Sequence, residues 1–397
     1  GKINIRRNVG KLARLQSLVS EQPLSGNLGI GHTRWATHGE PNERNAHPHM
    51  GATGEVVIVH NGIVENYMSL RENLIAEGVT LKSDTDSEVI VHLIEHYMAA
   101  GHPLKDAVRH TIGDLQGASA MVLISSREPD RIIAARVGNA GGIAIGVGDG
   151  EMFVASDMPA ILDHTRRMAF LEPGWMAVVT EVGFNTQSLA GEPVSAELHT
   201  IPWDPVAAEK GSYRHFMRKE IDEQVRAITD TIGGRVDFSA GAVTLHDLHL
   251  TKAAACDIHR IVITACGTAA HAGMVGKVLI EALARVPVEV SIASEFRYAD
   301  PIVDKNTVLL AISQSGETAD TLAAMAEGRE RGATLWSIVN VIGSQAMRMA
   351  AGCISMQTGP EIGVASTKAF TTPLVDLYLL AILLGQHRGE LDSERVR

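Results

Sequence analysis

The stretch "LLAISQSGETADTL", residues 309–322, joins an apolar run to a polar turn and the start of a helix. The hydroxyl and amide side chains that follow the apolar run belong to Ser313, Gln314, Ser315 and Thr318. Gly316 allows the backbone to turn tightly, so that free N–H groups at the start of the next helix can point at an anion. Hydroxyl groups supply further donors without adding charge. The stretch therefore predicts a phosphate-binding turn between a buried strand and a helix.

The same order of apolar strand, small-residue turn and helix occurs three times in the second half of the chain. The segments are "RIVITACGTAAHAGMVGKVLIEALA" (260–284), "NTVLLAISQSGETADTLAAMAEGRERG" (306–332) and "TLWSIVNVIGSQAMRMAAG" (334–352). Continuous apolar strands followed by helices indicate a parallel sheet that is covered on both faces. We therefore expect a doubly wound α/β domain with ligands at the carboxyl ends of its strands.

Two further turns, "CGTAA" (266–270) and "GVASTKA" (363–369), offer the same hydroxyl and small-residue chemistry. The competing interpretation is that each Ser or Thr only caps the helix that follows, which these residue types do well. Three such turns in one parallel sheet favour a phosphate site over three independent caps.

The first half of the chain consists of short β-branched runs closed by turn residues, which is typical of strands in meanders. They span 55–62, 119–126, 131–138, 141–150, 151–156 and 175–180. A helical period interrupts them at 86–101, with Gly101 as its stop. This half predicts antiparallel sheets covered by helices, an α+β arrangement.

A loose polar pattern separates the two halves between residues 184 and 242, and includes an amphipathic helix at 213–234. Such a change in character predicts a domain junction. We place the first domain at 1–184, the linker at 185–245 and the second domain at 246–390.

The composition excludes several classes of protein. The net charge of −11 over 397 residues argues against a nucleic-acid binder, because such proteins carry a basic face. No apolar run reaches the roughly 18 residues of a membrane span, and segment 373–385 contains Asp376. No export signal is visible, so we expect a cytoplasmic protein. Cys256, Cys266 and Cys353 lack metal-binding spacing and are expected to be buried free thiols.

Three segments of the second half closely resemble the sugar isomerase (SIS) domain of the glutamine:fructose-6-phosphate amidotransferases, also called glucosamine-6-phosphate synthases. They are "ACGT" (265–268), "SQSGETADT" (313–321) and "EIGVASTKAFT" (361–371). The resemblance implies that the sugar phosphate is held by Thr268, Ser313, Gln314, Ser315 and Thr318. It also implies that Val364 and Ser366 line the sugar site. The family commonly has Ser after "CGT", whereas this chain has Ala269, which lacks that hydroxyl.

Three segments of the first half look like the glutamine-binding segments of the same family. They are "HTRWATHG" (32–39), "NAHPH" (45–49) and "HNG" (60–62). The resemblance implies an N-terminal-nucleophile glutaminase domain, an αββα sandwich that is only partly present here. It implies that the glutamine carboxylate is bound by Arg34, Thr37 and His38, and its amino group by Gly62 and Asp86. Trp35 would cover the glutamine, and the Asn61 side chain and the Gly62 N–H group would form an oxyanion hole.

The chemistry of glutamine supports these roles independently. A selective site needs an Arg that binds the carboxylate bidentately and a separate carboxylate for the ammonium, for which Arg34 and Asp86 are candidates. Amide hydrolysis passes through an oxyanion that preorganised donors stabilise. Considered alone, Asp86 would be a helix cap and Trp35 a core aromatic.

Histidines are concentrated in the same region, with four between His32 and His49 and a fifth at His60. Their spacings are irregular and no Cys or paired acidic residues accompany them, which disfavours a metal site. We expect His47 and His49 to hydrogen-bond within the loop and support its shape. No metal and no cofactor are expected.

The resemblance covers essentially the whole chain and implies a two-step transferase. Ammonia from glutamine would pass to fructose 6-phosphate, which is isomerised to glucosamine 6-phosphate, the first step of UDP-N-acetylglucosamine synthesis. A homodimer that binds neither nucleic acid nor membranes is expected. The segment "KGSYRHFMRKEIDEQ" (210–224) matches the family's linking segment, which indicates that both halves belong to one chain.

Two other functions are alternatives. A sugar-phosphate sensor joined to a decayed glutaminase would be non-catalytic, but such sensors often carry a basic DNA-binding segment, and none is visible in the sequence. A phosphoribosyl or asparagine-forming amidotransferase would share the glutaminase chemistry. The "SQSGET" turn (313–318) favours a phosphosugar domain over that second alternative.

The nucleophile of this family is an N-terminal cysteine whose α-amino group acts as the base. The first half of the chain contains no cysteine, so we interpret it as a fragment that begins within the glutaminase domain and ends after the first of two isomerase subdomains. We expect the purified 397-residue chain to form no glucosamine 6-phosphate from glutamine and fructose 6-phosphate in a product assay. Formation of that product would contradict the interpretation.

Overall fold

The chain forms two compact units, Gly1–Thr200 and Ile201–Arg397. The computed structural model describes residues 2–34, 39–203 and 208–396. The first unit is built around antiparallel sheets, and the second around a five-stranded parallel sheet.

Strands dominate the first unit. They are β1 (His49–Met50), β2 (Val56–Gly62), β3 (Ser119–Ser125), β4 (Arg131–Val137), β5 (Ala144–Val147), β6 (Met152–Ala155), β7 (Arg167–Phe170), β8 (Trp175–Thr180), β9 (Gly183–Ser188), β10 (Pro193–Val194) and β11 (Leu198–Thr200). The helices are α1 (Leu12–Glu21), α2 (Tyr67–Ala76), α3 (Ser87–Ala99) and α4 (Leu104–Asp114).

Two antiparallel sheets and a layer of helices pack as a sandwich in this unit. The sheets have the strand orders β1-β2-β3-β4-β8-β9-β10 and β11-β7-β5-β6. Successive residues of β3 point to opposite faces. Met121 and Leu123 pack in the core shared with α2, α3 and α4, whereas Ala120 and Val122 pack in the core between the two sheets. Because its side chains alternate between the two faces of the sheet, β3 contributes to both cores.

Strands and helices alternate in the second unit. The strands are β12 (Val236–Asp237), β13 (Ala242–Val243), β14 (Arg260–Ala265), β15 (Val288–Ile292), β16 (Thr307–Ser313), β17 (Thr334–Val339) and β18 (Gly352–Ser355). The helices are α5 (Phe216–Asp222), α6 (Gln224–Ile232), α7 (Lys252–Asp257), α8 (Gly267–Ala284), α9 (Ala293–Phe296), α10 (Ala319–Glu330), α11 (Gln345–Met349), α12 (Lys368–Arg388) and α13 (Ser393–Val396).

The main sheet of this unit is parallel and has the order β15-β14-β16-β17-β18. Ile261 and Ile263 pack in a core with α8 and α12, while Val262 packs on the other face with Leu322 and Met325 of α10. The expected doubly wound architecture is therefore confirmed. Because the chain leaves β14 toward β15 and later returns to β16 on the other side, the strand order reverses between β14 and β16.

Most local predictions from the sequence are confirmed. Each of the six predicted strand runs of the first half contains a strand, and the predicted helix at 86–101 is α3. The helix expected at 213–234 is divided into α5 and α6, and the segment expected as a linker, 185–245, forms regular elements in both units. All three cysteines are free, but only Cys353 is buried, so the expectation of buried thiols is wrong for exposed Cys256 and half-buried Cys266.

Helix α12 contributes a buried aspartate to an ion pair in the core of the second unit. By length and composition alone α12 could cross a membrane, yet 61% of its apolar stretch is buried within the protein. Asp376 of α12 is fully buried, and Nη1 of Arg235 donates to its Oδ1 at 2.8 Å. Burial raises the pKa of Asp376 to about 7, while Arg235 opposes that shift. A buried carboxyl group thus depends on one cation for compensation.

We expect Arg235→Met to lower the free energy of unfolding by about 3 kcal/mol, because a buried carboxyl group loses its partner. Removing Arg235 raises the folded-state pKa of Asp376 further. A raised folded-state pKa gives stability that is lost as the pH rises through it, so the loss is larger at pH 8 than at pH 6. Urea denaturation at both pH values measures this effect.

The matched control is Arg226→Met, which removes an exposed partner of Asp230 on α6. We expect this change to stay within about 0.5 kcal/mol, because exposed ion pairs contribute little. Equal losses for Arg235→Met at the two pH values would contradict the burial argument.

Candidate functional sites

A cavity of about 210 Å³ opens at the carboxyl ends of β14 and β16. This is the point where the strand order reverses, the usual ligand position in a doubly wound sheet. All seven residues predicted for the sugar phosphate line it, namely Thr268, Ser313, Gln314, Ser315, Thr318, Val364 and Ser366. Three separate segments, at 268, 313–318 and 364–366, therefore bring the predicted residues to one place.

The turn after β16 is fixed by its own hydroxyl groups. Ser313 Oγ accepts the Gly316 N–H group at 3.0 Å and lies 3.2 Å from Thr318 Oγ1. Gly316 has a φ of 65°, and a Cβ at this position would lie 2.1 Å from Ser344 Oγ. Both the left-handed backbone and the close approach require glycine here.

Three helices begin at this cavity or beside it. The residues before α8, α10 and α12 are Cys266, Thr318 and Thr367, and none of these three side chains makes a capping hydrogen bond. The first-turn N–H groups of a helix carry partial positive charge and attract anions. At these three helices, the residue before the first turn therefore does not act as a side-chain cap, contrary to the competing interpretation.

Two carboxylates, Glu220 and Glu361, hold the loop that carries Val364 and Ser366. Glu220 is 2% exposed, and its Oε1 accepts the N–H groups of Ile362 at 2.6 Å and Gly363 at 3.0 Å. Sequence reasoning missed both carboxylates.

The carboxylate of Glu361 lies at the beginning of α12. It accepts the N–H groups of Thr367 at 2.9 Å and Ala369 at 3.1 Å, and the Ser366 hydroxyl at 3.2 Å. These donors offset its negative charge beside the predicted phosphate site. None of the described residues that line the cavity is Lys or Arg, so a phosphate there would rely on N–H and hydroxyl donors.

A second cavity, of about 310 Å³, lies in the first unit. Four of the residues predicted for glutamine line it: Arg34, Asn61, Gly62 and Asp86. The structure adds His32, His47, His60, Thr85, Ser87 and Ala140 to its wall. Trp35, Thr37 and His38, which were predicted for the same site, lie outside the described residues.

Asp86 occupies the position before α3 but makes no capping hydrogen bond there. Its Oδ2 instead accepts the Val64 N–H group at 2.9 Å, and the residue is 3% exposed. Glu88 supports the preceding loop by accepting N–H groups from Lys82 at 2.7 Å and Ser83 at 2.6 Å. The Asp86 carboxylate is therefore held at the cavity and is not used as a helix cap.

Arg34 and Gly62 both adopt backbone conformations with positive φ. Arg34 has a φ of 51°, and its guanidinium donates to the carbonyls of Gly39 at 2.8 Å and Glu40 at 2.9 Å. A non-glycine residue at positive φ is uncommon and is often found at functional sites. Gly62 has a φ of 138°, and a Cβ there would lie 2.2 Å from the Ala118 carbonyl oxygen. The end of β2 thus requires glycine beside Asn61.

Several histidines around this cavity have lowered pKa values. Burial is the main cause and lowers the pKa of His47 to about 2 and those of His49 and His60 to about 4. His49 Nε2 lies 3.1 Å from Thr85 Oγ1, which is outside the loop where its partner was expected. Buried Nδ1 of His47 has no hydrogen-bond partner in the described part of the chain. The expectation of hydrogen bonding is therefore not met at this atom of His47, whose ring centroid lies 4.3 Å from that of His32 and 4.7 Å from that of His49.

His60 is buried at the base of this cavity. Its Nδ1 lies 2.8 Å from Ser87 Oγ, and its Nε2 lies 3.1 Å from Ser119 Oγ. Within residues 2–34, 39–203 and 208–396, no group of three His, Cys, Asp or Glu side chains has the geometry for a metal ion.

Sequence comparisons identify one known domain in each half of the chain. Residues 32–163 match the family model of a glutamine amidotransferase domain, and residues 256–383 match that of the SIS domain. The chain is 47% identical over 392 residues to the glutamine–fructose-6-phosphate aminotransferase (isomerizing) of Symbiobacterium thermophilum. The chain therefore carries a glutamine amidotransferase domain and a SIS domain. It is also 46% identical over 396 residues to the enzyme of the same name from Clostridium acetobutylicum.

The alignments cover 99% and 100% of this chain, and the chain spans 64% of the length of each of these curated relatives. Among solved structures, the C-terminal domain of glucosamine-fructose-6-phosphate aminotransferase from Francisella tularensis is 39% identical with a TM-score of 0.45. That match covers 47% of this chain and 52% of the solved chain.

Proposed function

We propose that this chain supplies the glutamine site and a sugar-phosphate site of an amidotransferase that converts fructose 6-phosphate to glucosamine 6-phosphate. The observation that carries the proposal is the convergence of all seven predicted sugar-phosphate residues in one cavity at the carboxyl ends of β14 and β16. The sequence identity to the aminotransferases and the separate cavity of the first unit support it.

The cavity of the first unit suits a zwitterionic amino acid. Arg34 and Asp86 are the charged residues among its described lining, apart from the histidines. In the proposed complex Arg34 binds the glutamine carboxylate, and Asp86 binds the ammonium group together with the Gly62 backbone. Thr37, His38 and Trp35 keep their predicted roles as partners of the carboxylate and as the cover of the site.

The amide group of glutamine would lie at the end of β2. Nucleophilic attack on its carbon places negative charge on the oxygen, which the Asn61 side-chain amide and the Gly62 N–H group would stabilise. If the attacking group is the family's N-terminal cysteine, collapse of that intermediate would break the C–N bond, release ammonia and leave a thioester on that cysteine, which water would hydrolyse to glutamate. The first unit contains no cysteine, so its residues bind and polarise the amide and do not attack it.

The cavity of the second unit suits a phosphate ester. Hydroxyls of Ser313, Ser315 and Thr318, together with N–H groups at the starts of α8 and α10, would bind the phosphate. Val364 and Ser366 would line the sugar, and Ala269 contributes a methyl group where the family commonly has a hydroxyl. We also propose that the protein works in the cytoplasm as a homodimer, without a metal or cofactor.

We expect the 397-residue chain to bind fructose 6-phosphate or glucosamine 6-phosphate, but not phosphoribosyl pyrophosphate, in calorimetric titrations. Thr318→Val should weaken sugar-phosphate binding about tenfold or more, because a hydrogen bond to a charged group is lost while the side-chain shape is kept. Thr334→Val is the matched control, since Thr334 begins β17 at the opposite end of the sheet. Tight binding of phosphoribosyl pyrophosphate alone would support another amidotransferase.

We expect L-glutamine to bind the chain and Asp86→Asn to weaken that binding about tenfold or more, because the ammonium group loses its counter-charge. The substitution preserves size and leaves an acceptor for the Val64 N–H group. Asp106→Asn removes an ion pair with Arg109 on α4 and serves as the control. Equal affinities of the Asp86→Asn and unsubstituted chains would refute the role of Asp86.

A further inference from the structure

A chain of two hydrogen bonds connects the Arg34 backbone to the Asn61 side chain through His32. The Arg34 N–H group donates to His32 Nδ1 at 2.9 Å. His32 Nε2 lies 2.8 Å from Asn61 Oδ1. All three residues line the cavity of the first unit.

The Arg34 N–H group determines the direction of both hydrogen bonds. A backbone N–H group only donates, so His32 Nδ1 has to accept and carries no proton. The proton of the neutral imidazole then lies on Nε2, which makes Nε2 a donor. Its partner on Asn61 has to be an acceptor, and Oδ1 is the acceptor of a carboxamide. The Asn61 amide is therefore fixed with Oδ1 toward His32 and Nδ2 away from it.

We infer that His32 is a positioning residue that keeps the Asn61 Nδ2 donor directed at the oxygen of the bound glutamine amide. This role rests on the proposed glutamine site. Without His32, Asn61 can turn its amide over and present Oδ1 to the same oxygen. An acceptor in that place repels the developing negative charge, whereas a donor stabilises it.

The surroundings of His32 keep its imidazole neutral, as this role requires. Burial is the main cause that lowers its pKa; the hydrogen bond to Asn61 opposes this shift, and the positive charge of Arg34 adds to it. The His47 ring centroid lies 4.3 Å away. A proton on Nδ1 would also oppose the Arg34 N–H group directly. The positive φ of Arg34 belongs to the same loop segment that delivers this N–H group to His32.

Two substitutions separate the two hydrogen bonds. In His32→Gln the side-chain amide nitrogen reaches about as far as Nε2 and can donate to Asn61, but the acceptor for Arg34 is lost. In His32→Asn the side-chain oxygen lies near the position of Nδ1 and can accept from Arg34, but the donor to Asn61 is lost. If His32 acts through Asn61, the His32→Gln variant should keep the orientation of the Asn61 amide and the His32→Asn variant should lose it.

The first readout is ¹⁵N NMR of the ligand-free chain. We expect the His32 imidazole to be the Nε2–H tautomer at pH 7. We expect the Asn61 side-chain amide signals to be shifted or broadened in His32→Asn and close to those of the unsubstituted chain in His32→Gln.

The second readout compares L-glutamine with L-norvaline, which has the same α-amino and α-carboxylate groups but no carboxamide. We expect His32→Asn to weaken L-glutamine binding about fivefold, the effect of one neutral hydrogen bond, and to leave L-norvaline binding unchanged. His32→Gln should retain most of the affinity for both ligands.

The outcomes distinguish the two proposals. Glutamine binding by the unsubstituted chain together with an Nδ1–H tautomer, or equal losses for both ligands in His32→Asn, would overturn the role of His32 alone. An unsubstituted chain that binds neither ligand would overturn the glutamine site itself, and the role of His32 with it.

Discussion

The second unit depends on the position of β14, which pairs in parallel with β15 on one side and with β16 on the other. Parallel strands need crossover connections, and here the connections after β14 and β16 run through helices on opposite faces of the sheet. Their first turns diverge at the carboxyl edge and leave a crevice between them. The cavity therefore follows from strand order, and the side chains at 266–270, 313–318 and 361–369 determine what it can hold.

Much of this unit was accessible from the sequence because its signals are local. A fully buried strand such as β16 is a continuous apolar run, and the turn that follows it is short enough to be recognised from consecutive residues. Glu220 and Glu361 were missed because their partners are backbone N–H groups, which the sequence does not display. For Glu220 the partners lie 142 and 143 positions away. An acidic residue beside a predicted phosphate site also contradicts the expectation that negative charges repel the ligand, until the hydrogen-bond donors to that residue are known.

The first unit shows the same limit more clearly. Resemblance placed Arg34, Asn61, Gly62 and Asp86 at one site, and the structure brings these four together. The position of Asp86 before a helix suggested capping, but the carboxylate turns to Val64 instead. The connection from Arg34 through His32 to Asn61 was not predictable, because it depends on which imidazole nitrogen faces a backbone donor. Residue identity alone cannot give that direction.

The suppressed basicity of the histidines around the first cavity has an electrostatic consequence. With His47 and His60 uncharged near neutral pH, the described wall carries one positive group, Arg34, and one negative group, Asp86. Such a wall has no net monopole and acts on a ligand as a fixed dipole. Such a wall selects ligands by the distance between their positive and negative groups and not by their net charge. Its attraction for free ions at longer range is weak. In the proposed complex, an overall acidic chain would bind a zwitterion of zero net charge, on which the net charge of the protein exerts little force.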